Sequence, residues 1–221
     1  MTRPGLPDEQ IAQRIAAELE DGWYVNLGVG IPTLVGNCLP PGRDILLHTE
    51  NGMLGIGPRP PQGEEDIDLI NAGNQPVTVL PGSCFFGQAD SFAMIRGGHV
   101  DVSVLGALQV SERGDLANWM IPGQRVGRVG GAMDIAVGAK RLFVAMGHTT
   151  RDGAPKIVKR CTYPLTAVGA VKKIFTNLAV IEVGPAGLVL LEVAPGVTPE
   201  QVAAATEPPL TIAPDLRTIP F

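Results

Sequence analysis

The sequence has few of the side chains that advertise a chemistry. It holds three cysteines and three histidines in 221 residues. Cys38, Cys84 and Cys161 are far apart, and so are His48, His99 and His148. No CxxC pair and no Cys/His cluster results, which argues against a structural zinc site. An odd number of separated cysteines offers no disulfide framework and fits a reducing cytoplasm. The opening residues, MTRPGLPDEQ, lack the apolar core of a secretory signal. Only 18% of residues are charged and the formal net charge is −5. That excludes a basic nucleic-acid footprint and disfavours an electrostatic membrane anchor. The most apolar stretch, Leu178–Val193, is broken by Glu182, Gly184, Pro185 and Gly187, so it predicts two strands and a turn rather than a membrane span. There is no HExxH pair, no serine elbow and no Walker lysine. Any chemistry must therefore rest on carboxylates, amides and backbone groups.

What the chain does have is apolar segments separated by turns. Hydrophobic residues make up 45%, with 28 glycines and 20 prolines. The length fits a single domain spanning residues 1–221. Pro7 and Asp8, followed by Ile11, Ile15 and Leu19, predict a first helix that Gly22 closes off. Short apolar runs then predict strands at Tyr24–Val29, Asp44–Thr49, Val77–Leu80, Val100–Leu105, Arg141–Met146, Leu178–Val183 and Leu188–Val193. Helices are expected at Ile31–Cys38, Ser91–Arg96, Met133–Ala139, Ala167–Phe175 and Pro199–Ala205. This alternation predicts an α/β fold, a three-layer αβα open sandwich on a mostly parallel, mixed sheet. The last two strands should form a hairpin across Gly184–Gly187. Residues Gly57–Asp68 read as a Pro-rich acidic surface loop. The tail from Glu207, with four prolines, is expected to wrap an outer surface or a partner.

Three segments could carry chemistry. In Asn26-Leu27-Gly28-Val29-Gly30-Ile31-Pro32-Thr33, glycines follow a strand and a proline opens a helix. Such a joint lets a ligand approach the backbone, although it also reads as a plain strand–turn–helix connection. The dinucleotide fingerprint is incomplete, because Thr33 stands where its third glycine belongs. In His48-Thr49-Glu50-Asn51-Gly52, a strand delivers Glu50 into a glycine-rich turn. Ligands bind at the carboxyl ends of parallel strands, so Glu50 could be a base, a nucleophile or a ligand. A solvated turn carboxylate is the ordinary alternative, and His48 reads as a buried, hydrogen-bonded core residue. In Gly127-Arg128-Val129-Gly130-Gly131-Ala132-Met133-Asp134, paired glycines before a helix could expose backbone N–H groups as an oxyanion hole, or simply admit the helix. The polar stretches Asn71–Gln75 and Asp115–Trp119 could line a pocket or make turns.

Taken together, these segments resemble the B (beta) subunit of the family I, 3-oxoacid-type CoA-transferases. That family's Ser-Glu-Asn-Gly signature reads Thr49-Glu50-Asn51-Gly52 here, with the hydroxyl kept. The likeness runs through VNLGVGIPTLV at Val25–Val35, DLINAGNQPVT at Asp68–Thr78, and Ala89–Ser111. It continues through GDLANWMIPG at Gly114–Gly123, GGAMD at Gly130–Asp134, CTYPLT at Cys161–Thr166 and ATEPPL at Ala205–Leu210. Asn74 departs from it, since many members carry Lys there.

The resemblance implies transfer of CoA from succinyl-CoA to a 3-oxo acid, acetoacetate or 3-oxoadipate, through a glutamyl-CoA thioester on Glu50. Gly131 and Ala132 are then candidates for the oxyanion hole, and Asn51 for orienting Glu50. Asn26, Gly28, Gly30, Gly52, Gly130 and Asn118 are candidates for binding the coenzyme A thioester. That thioester is a substrate, and neither a metal nor another cofactor is implied. The resemblance also implies a separate A (alpha) chain as partner, in an A2B2 heterotetramer or an AB pair, and no nucleic-acid or membrane partner. The segment Trp119–Gly123 leans towards the acetoacetate branch, and Arg96, Arg125 or Arg128 could hold a second substrate carboxylate. Three other readings remain open: an acyl-CoA hydrolase using the same glutamate, a ligand-binding module on the same fold, and a catalytically silent structural chain.

Overall fold

The computed structural model describes residues 5–124 and 129–221. The chain begins with α1 (Asp8–Glu18), β1 (Tyr24–Leu27), α2 (Ile31–Val35), β2 (Leu46–Thr49), β3 (Met53–Ile56), β4 (Val79–Phe85) and α3 (Gln88–Arg96). Next come β5 (Val102–Leu105), β6 (Gln109–Ser111), β7 (Leu116–Ala117), α4 (Ala132–Gly138), β8 (Arg141–Met146) and β9 (Ile157–Val158). It finishes with β10 (Val171–Thr176), β11 (Ala179–Gly184), β12 (Gly187–Val193), α5 (Pro199–Ala204) and β13 (Leu210–Thr218). Ten strands form one sheet in the order β13-β12-β11-β10-β8-β5-β1-β2-β3-β4, and β7-β6-β9 form a small second sheet. The centre of the large sheet, β10-β8-β5-β1-β2, is parallel. Antiparallel strands flank it: β3 and β4 on one side, β11 and β12 on the other.

Strand alternation assigns the layers. Asn26 is paired with His48 and Ser103 in the neighbouring strands, so the three side chains share one face. His48 reaches Ser91 of α3, which puts α3 on that face. Leu27 and Leu47 point the other way and meet α2 at Gly36. Helix α1 packs on α2, and α3 packs on α4. The expected αβα sandwich with a mixed, mostly parallel sheet follows. Helix α1 forms for the expected reason: Ile11 and Ile15 at spacing four are fully buried, and Asp8 and Glu9 occupy the first turn, where the helix dipole favours them.

Two expected elements take another form. Ala167–Phe175 is not a helix: Gly169 has φ +60° and Val171–Thr176 is β10, parallel to β8. Its apolar residues mimic helical spacing, but Val171, Ile174 and Phe175 are buried because the strand lies inside the sheet. The tail does not wrap a surface. Its residues Leu210–Thr218 extend the sheet as β13, parallel to β12. Pro214 is tolerated because β13 is an edge strand. The hairpin across Gly184–Gly187 forms as expected. The strand expected at Val77–Leu80 is β4, shifted to Val79–Phe85. Among the described residues no helix is long and apolar enough to cross a membrane.

Candidate active site

The parallel strands all end on one edge of the sheet, where open α/β sheets bind ligands. Strand β2 delivers Thr49 to that edge. Residues Glu50, Asn51 and Gly52 make a three-residue connection to Met53 of β3, closed by the Gly52 N–H donating to the Thr49 carbonyl at 3.0 Å. Only glycine fits the last position. Gly52 has φ +116°, and a Cβ there would lie 2.1 Å from the Phe86 carbonyl oxygen. The turn is tied down on several sides. Phe86 N–H donates to the Gly52 carbonyl at 2.9 Å. The Thr49 hydroxyl donates to Asn51 Oδ1 and accepts from Ala72 N–H at 3.1 Å. Asn51 Nδ2 donates to the Ile70 carbonyl at 2.8 Å. The hydroxyl that Thr49 shares with serine is therefore a working part of the turn.

Glu50 projects from this pinned turn to a half-buried place against Gly131. A methyl built on Gly131 would stand 2.6 Å from Glu50 Oε2 and 2.6 Å from Phe92 Cζ. The carboxylate thus packs directly on the Gly131 backbone, at the mouth of α4. Burial holds the Glu50 carboxyl above the usual carboxylate pKa. Gly131 adopts helical angles, φ −65° and ψ −7°, and no side chain caps the helix. The opening amides of a helix lack partners within it, which makes the Gly131 and Ala132 N–H groups candidate donors in the carboxylate's neighbourhood. An open cleft of about 500 Å³ lies beside them, lined by Gln88, Phe92, Arg96, Gly130, Gly131 and Asp134.

The other sequence-predicted residues are distributed around this centre. Gly28 lies against β5: its N–H donates to the Val104 carbonyl at 2.9 Å, and a Cβ would press on Leu105 Cδ2 at 3.0 Å. Gly30 has φ +92° and open space around it. Asn71 folds its own turn, with Oδ1 accepting from the N–H groups of Gly73 and Gln75 at 2.9 and 3.1 Å. That turn links the Gly28–Thr33 loop to the Glu50 turn, since a Cβ on Gly73 would meet Val29 at 3.5 Å while Ala72 holds Thr49. Asn118 bonds the Gly106 carbonyl through Nδ2 at 3.1 Å and accepts from Thr166 Oγ1 at 2.6 Å. Asn26 is buried in the sheet and bonded to His48 at 3.1 Å. Arg96 pairs with Asp134 at 2.8 Å and lies over the Phe92 ring. Arg125 and Arg128 lie outside the described residues, as does Gly127. Sequence reasoning missed Phe92 and Ser91, because a phenylalanine and a serine early in a helix carry no pattern that separates them from ordinary packing.

A coenzyme A transferase family model matches residues 8–205. The B subunit of the 3-oxoadipate CoA-transferase of Pseudomonas putida is 55% identical over 189 residues, covering 85% of this chain and 88% of that one. The B subunit of the succinyl-CoA:3-ketoacid coenzyme A transferase of Helicobacter pylori is 50% identical over 199 residues, covering 90% and 96%. Among solved structures, an acyl-CoA transferase of Escherichia coli O157:H7 shares the fold, with TM-score 0.76 at 21% identity over 99% of this chain. This chain spans 44% of that longer polypeptide. On the family match and these identities, the chain belongs to the coenzyme A transferase family.

Proposed function

We propose that this chain is the B subunit of a 3-oxoacid CoA-transferase and that Glu50 is its nucleophile. The observation that carries the reading is the position of the Glu50 carboxylate: on a rigid turn, stripped of part of its water, against Gly131 at the start of α4. A desolvated carboxylate is a better nucleophile, and a fixed one avoids much of the entropic cost of attack.

The reaction then runs as two exchanges. A Glu50 oxygen attacks the carbonyl carbon of the acyl-CoA thioester, and the C–S bond breaks. CoA leaves as the thiolate and an acyl-glutamyl anhydride remains. The thiolate attacks the Glu50 carbonyl of that anhydride, releasing the donor acid and leaving CoA on Glu50 as a thioester. The acceptor acid, as its carboxylate, repeats the steps in reverse. Atoms and charge balance without an oxidant or reductant, so we assign no cofactor beyond the coenzyme A carried by the substrate. Each attack builds a tetrahedral oxyanion. The Gly131 and Ala132 N–H groups are the proposed donors, a role worth about 10²–10³ in rate per donor. Asn51, held on the Ile70 carbonyl, would orient the glutamate. Gly28, Gly30, Gly52, Gly130 and Asn118 would shape the walls that receive the thioester arm. Asn26, bonded inside the sheet, would support those walls from behind.

A separate A (alpha) chain would complete the site, in an A2B2 assembly, and the separated cysteines fit a cytoplasmic setting. The acceptor is kept as acetoacetate or 3-oxoadipate, because a relative named for 3-ketoacids and one named for 3-oxoadipate are similarly close, at 50% and 55%. The test is transfer of CoA from succinyl-CoA by the chain assembled with its alpha chain. We expect CoA transfer only when a 3-oxo acid is present, and the preferred acid names the substrate. Succinyl-CoA consumption that ignores added acid would mean a hydrolase. A wild-type complex that binds ligand without transferring CoA, with binding and output left intact by Glu50→Ala, would mean a binding module.

A further inference from the structure

We infer that His48 is a positioning residue for Glu50, acting through Ser91 on the Thr49 carbonyl and so on the turn that carries the nucleophile. The inference rests on the reading of Glu50 given above. Four polar side chains lie in line inside the sheet and the α3 layer: Ser103, Asn26, His48 and Ser91, each no more than 2% exposed. Ser103 Oγ is 3.3 Å from Asn26 Oδ1, Asn26 Nδ2 is 3.1 Å from His48 Nδ1, and His48 Nε2 is 2.9 Å from Ser91 Oγ. Ser91 Oγ in turn is 3.4 Å from the Thr49 carbonyl.

The order of donation is fixed from both ends. The Thr49 carbonyl only accepts, so Ser91 gives it its one proton and must accept from His48. Asn26 donates its amide N–H to Nδ1, which puts the histidine proton on Nε2. Burial depresses the His48 pKa to about 4, so this neutral tautomer persists at neutral pH. The same ring stacks on Phe86, with centroids 6.0 Å apart. Phe86 holds the other end of the turn, through its N–H on the Gly52 carbonyl. One imidazole therefore braces both ends of the three-residue connection that presents Glu50. A histidine that merely filled space would need neither the aligned donors nor their terminus one residue before the nucleophile.

The test follows formation of the CoA adduct on Glu50 in a single turnover. It uses the chain assembled with its alpha chain, as wild type, His48→Leu, His48→Gln, Ser91→Ala and the His48→Leu/Ser91→Ala double variant. Displacement of a reacting group by an ångström can cost about 10²-fold, so His48→Leu should slow adduct formation by up to that factor with KM for acyl-CoA near wild type. Gln can accept from Asn26 and donate to Ser91, and should recover most of the loss. The double variant should be no slower than the slower single one, since both cut the same chain of bonds. Ile15→Val, in the α1 core, should lower thermal stability without slowing the adduct step. A folded His48→Leu complex with the wild-type rate overturns the inference, as do equal losses in Gln and Leu or losses that multiply in the double variant. Should His48→Leu fail to fold, a wild-type rate in Ser91→Ala overturns it. Wild-type turnover with no adduct on Glu50 instead rejects the nucleophile reading, and this inference with it.

Discussion

Gly131→Ala tests the contact between the carboxylate and the mouth of α4 with a single methyl. The backbone allows it, because φ −65° and ψ −7° suit any L-residue. The space does not. The added Cβ would meet Glu50 Oε2 and Phe92 Cζ at 2.6 Å each, where ordinary contact begins at 3.4 Å. Both tips must give way, the Glu50 carboxylate by about 0.8 Å and the Phe92 ring by a similar amount. A misplacement of that order costs about 10²-fold in rate, or about 2.7 kcal/mol on the barrier. Overpacking also destabilises, typically by about 1–3 kcal/mol. Steady-state transfer should therefore show kcat lower by about two orders of magnitude, while thermal unfolding still reports a folded chain. Val137→Ala, on the exposed face of α4, is the comparison and should leave kcat near wild type. A Gly131→Ala complex that keeps wild-type kcat, or that loses no more than Val137→Ala, refutes the packing of Glu50 on Gly131.

Three further outcomes follow from the same geometry. The Glu50 pKa is raised by burial, so the folded chain binds its proton more readily than the unfolded chain. Stability is then lost as pH rises from the ordinary carboxylate value through the raised one, and Glu50→Gln should raise Tm at pH 7 but not below about pH 4; equal shifts at both pH values would contradict this. Gly52→Ala combines φ +116° with a Cβ 2.1 Å from the Phe86 carbonyl. It should lower stability by at least the ~1–3 kcal/mol of a strained backbone site, read by denaturant unfolding, and abolish transfer. Thr49→Ser should keep activity, whereas Thr49→Val strands the Ala72 N–H and frees Asn51. A buried donor left unpaired costs about 1–3 kcal/mol and a part-buried one such as Ala72 N–H less, so only the valine variant should show a modestly lowered Tm and a lowered kcat.

Much of this was legible in the sequence, for identifiable reasons. The β1, β2, β5 and β8 segments are rich in buried Val, Leu and Phe, as strands covered on both faces must be, and glycines follow β1, β5 and β8 directly. The turn at Glu50 was legible because its chemistry is local: a hydroxyl, a carboxylate, an amide and a glycine whose positive φ no other residue takes easily. The helix expected at Ala167–Phe175 failed because Val168, Val171, Ile174 and Phe175 sit at spacings that suit a helix, while inclusion in the sheet decides the matter. Val168 is exposed, in keeping with that outcome. Strand β13 was hidden by Pro214 within it, which an edge position tolerates, and by the prolines that flank it. The contact of Gly131 with Glu50 and the line from Ser103 to Ser91 join residues that are distant in sequence. No local pattern encodes such distances; they exist only once the sheet order is set.

The central claim is that Glu50 carries CoA during turnover. The direct measurement is mass spectrometry of peptides from the assembled complex after incubation with succinyl-CoA or acetoacetyl-CoA. The peptide bearing Glu50 should carry CoA, an adduct absent in Glu50→Gln and discharged by a free 3-oxo acid. A complex that transfers CoA while that peptide stays unmodified, or that forms the adduct on another residue, contradicts the claim.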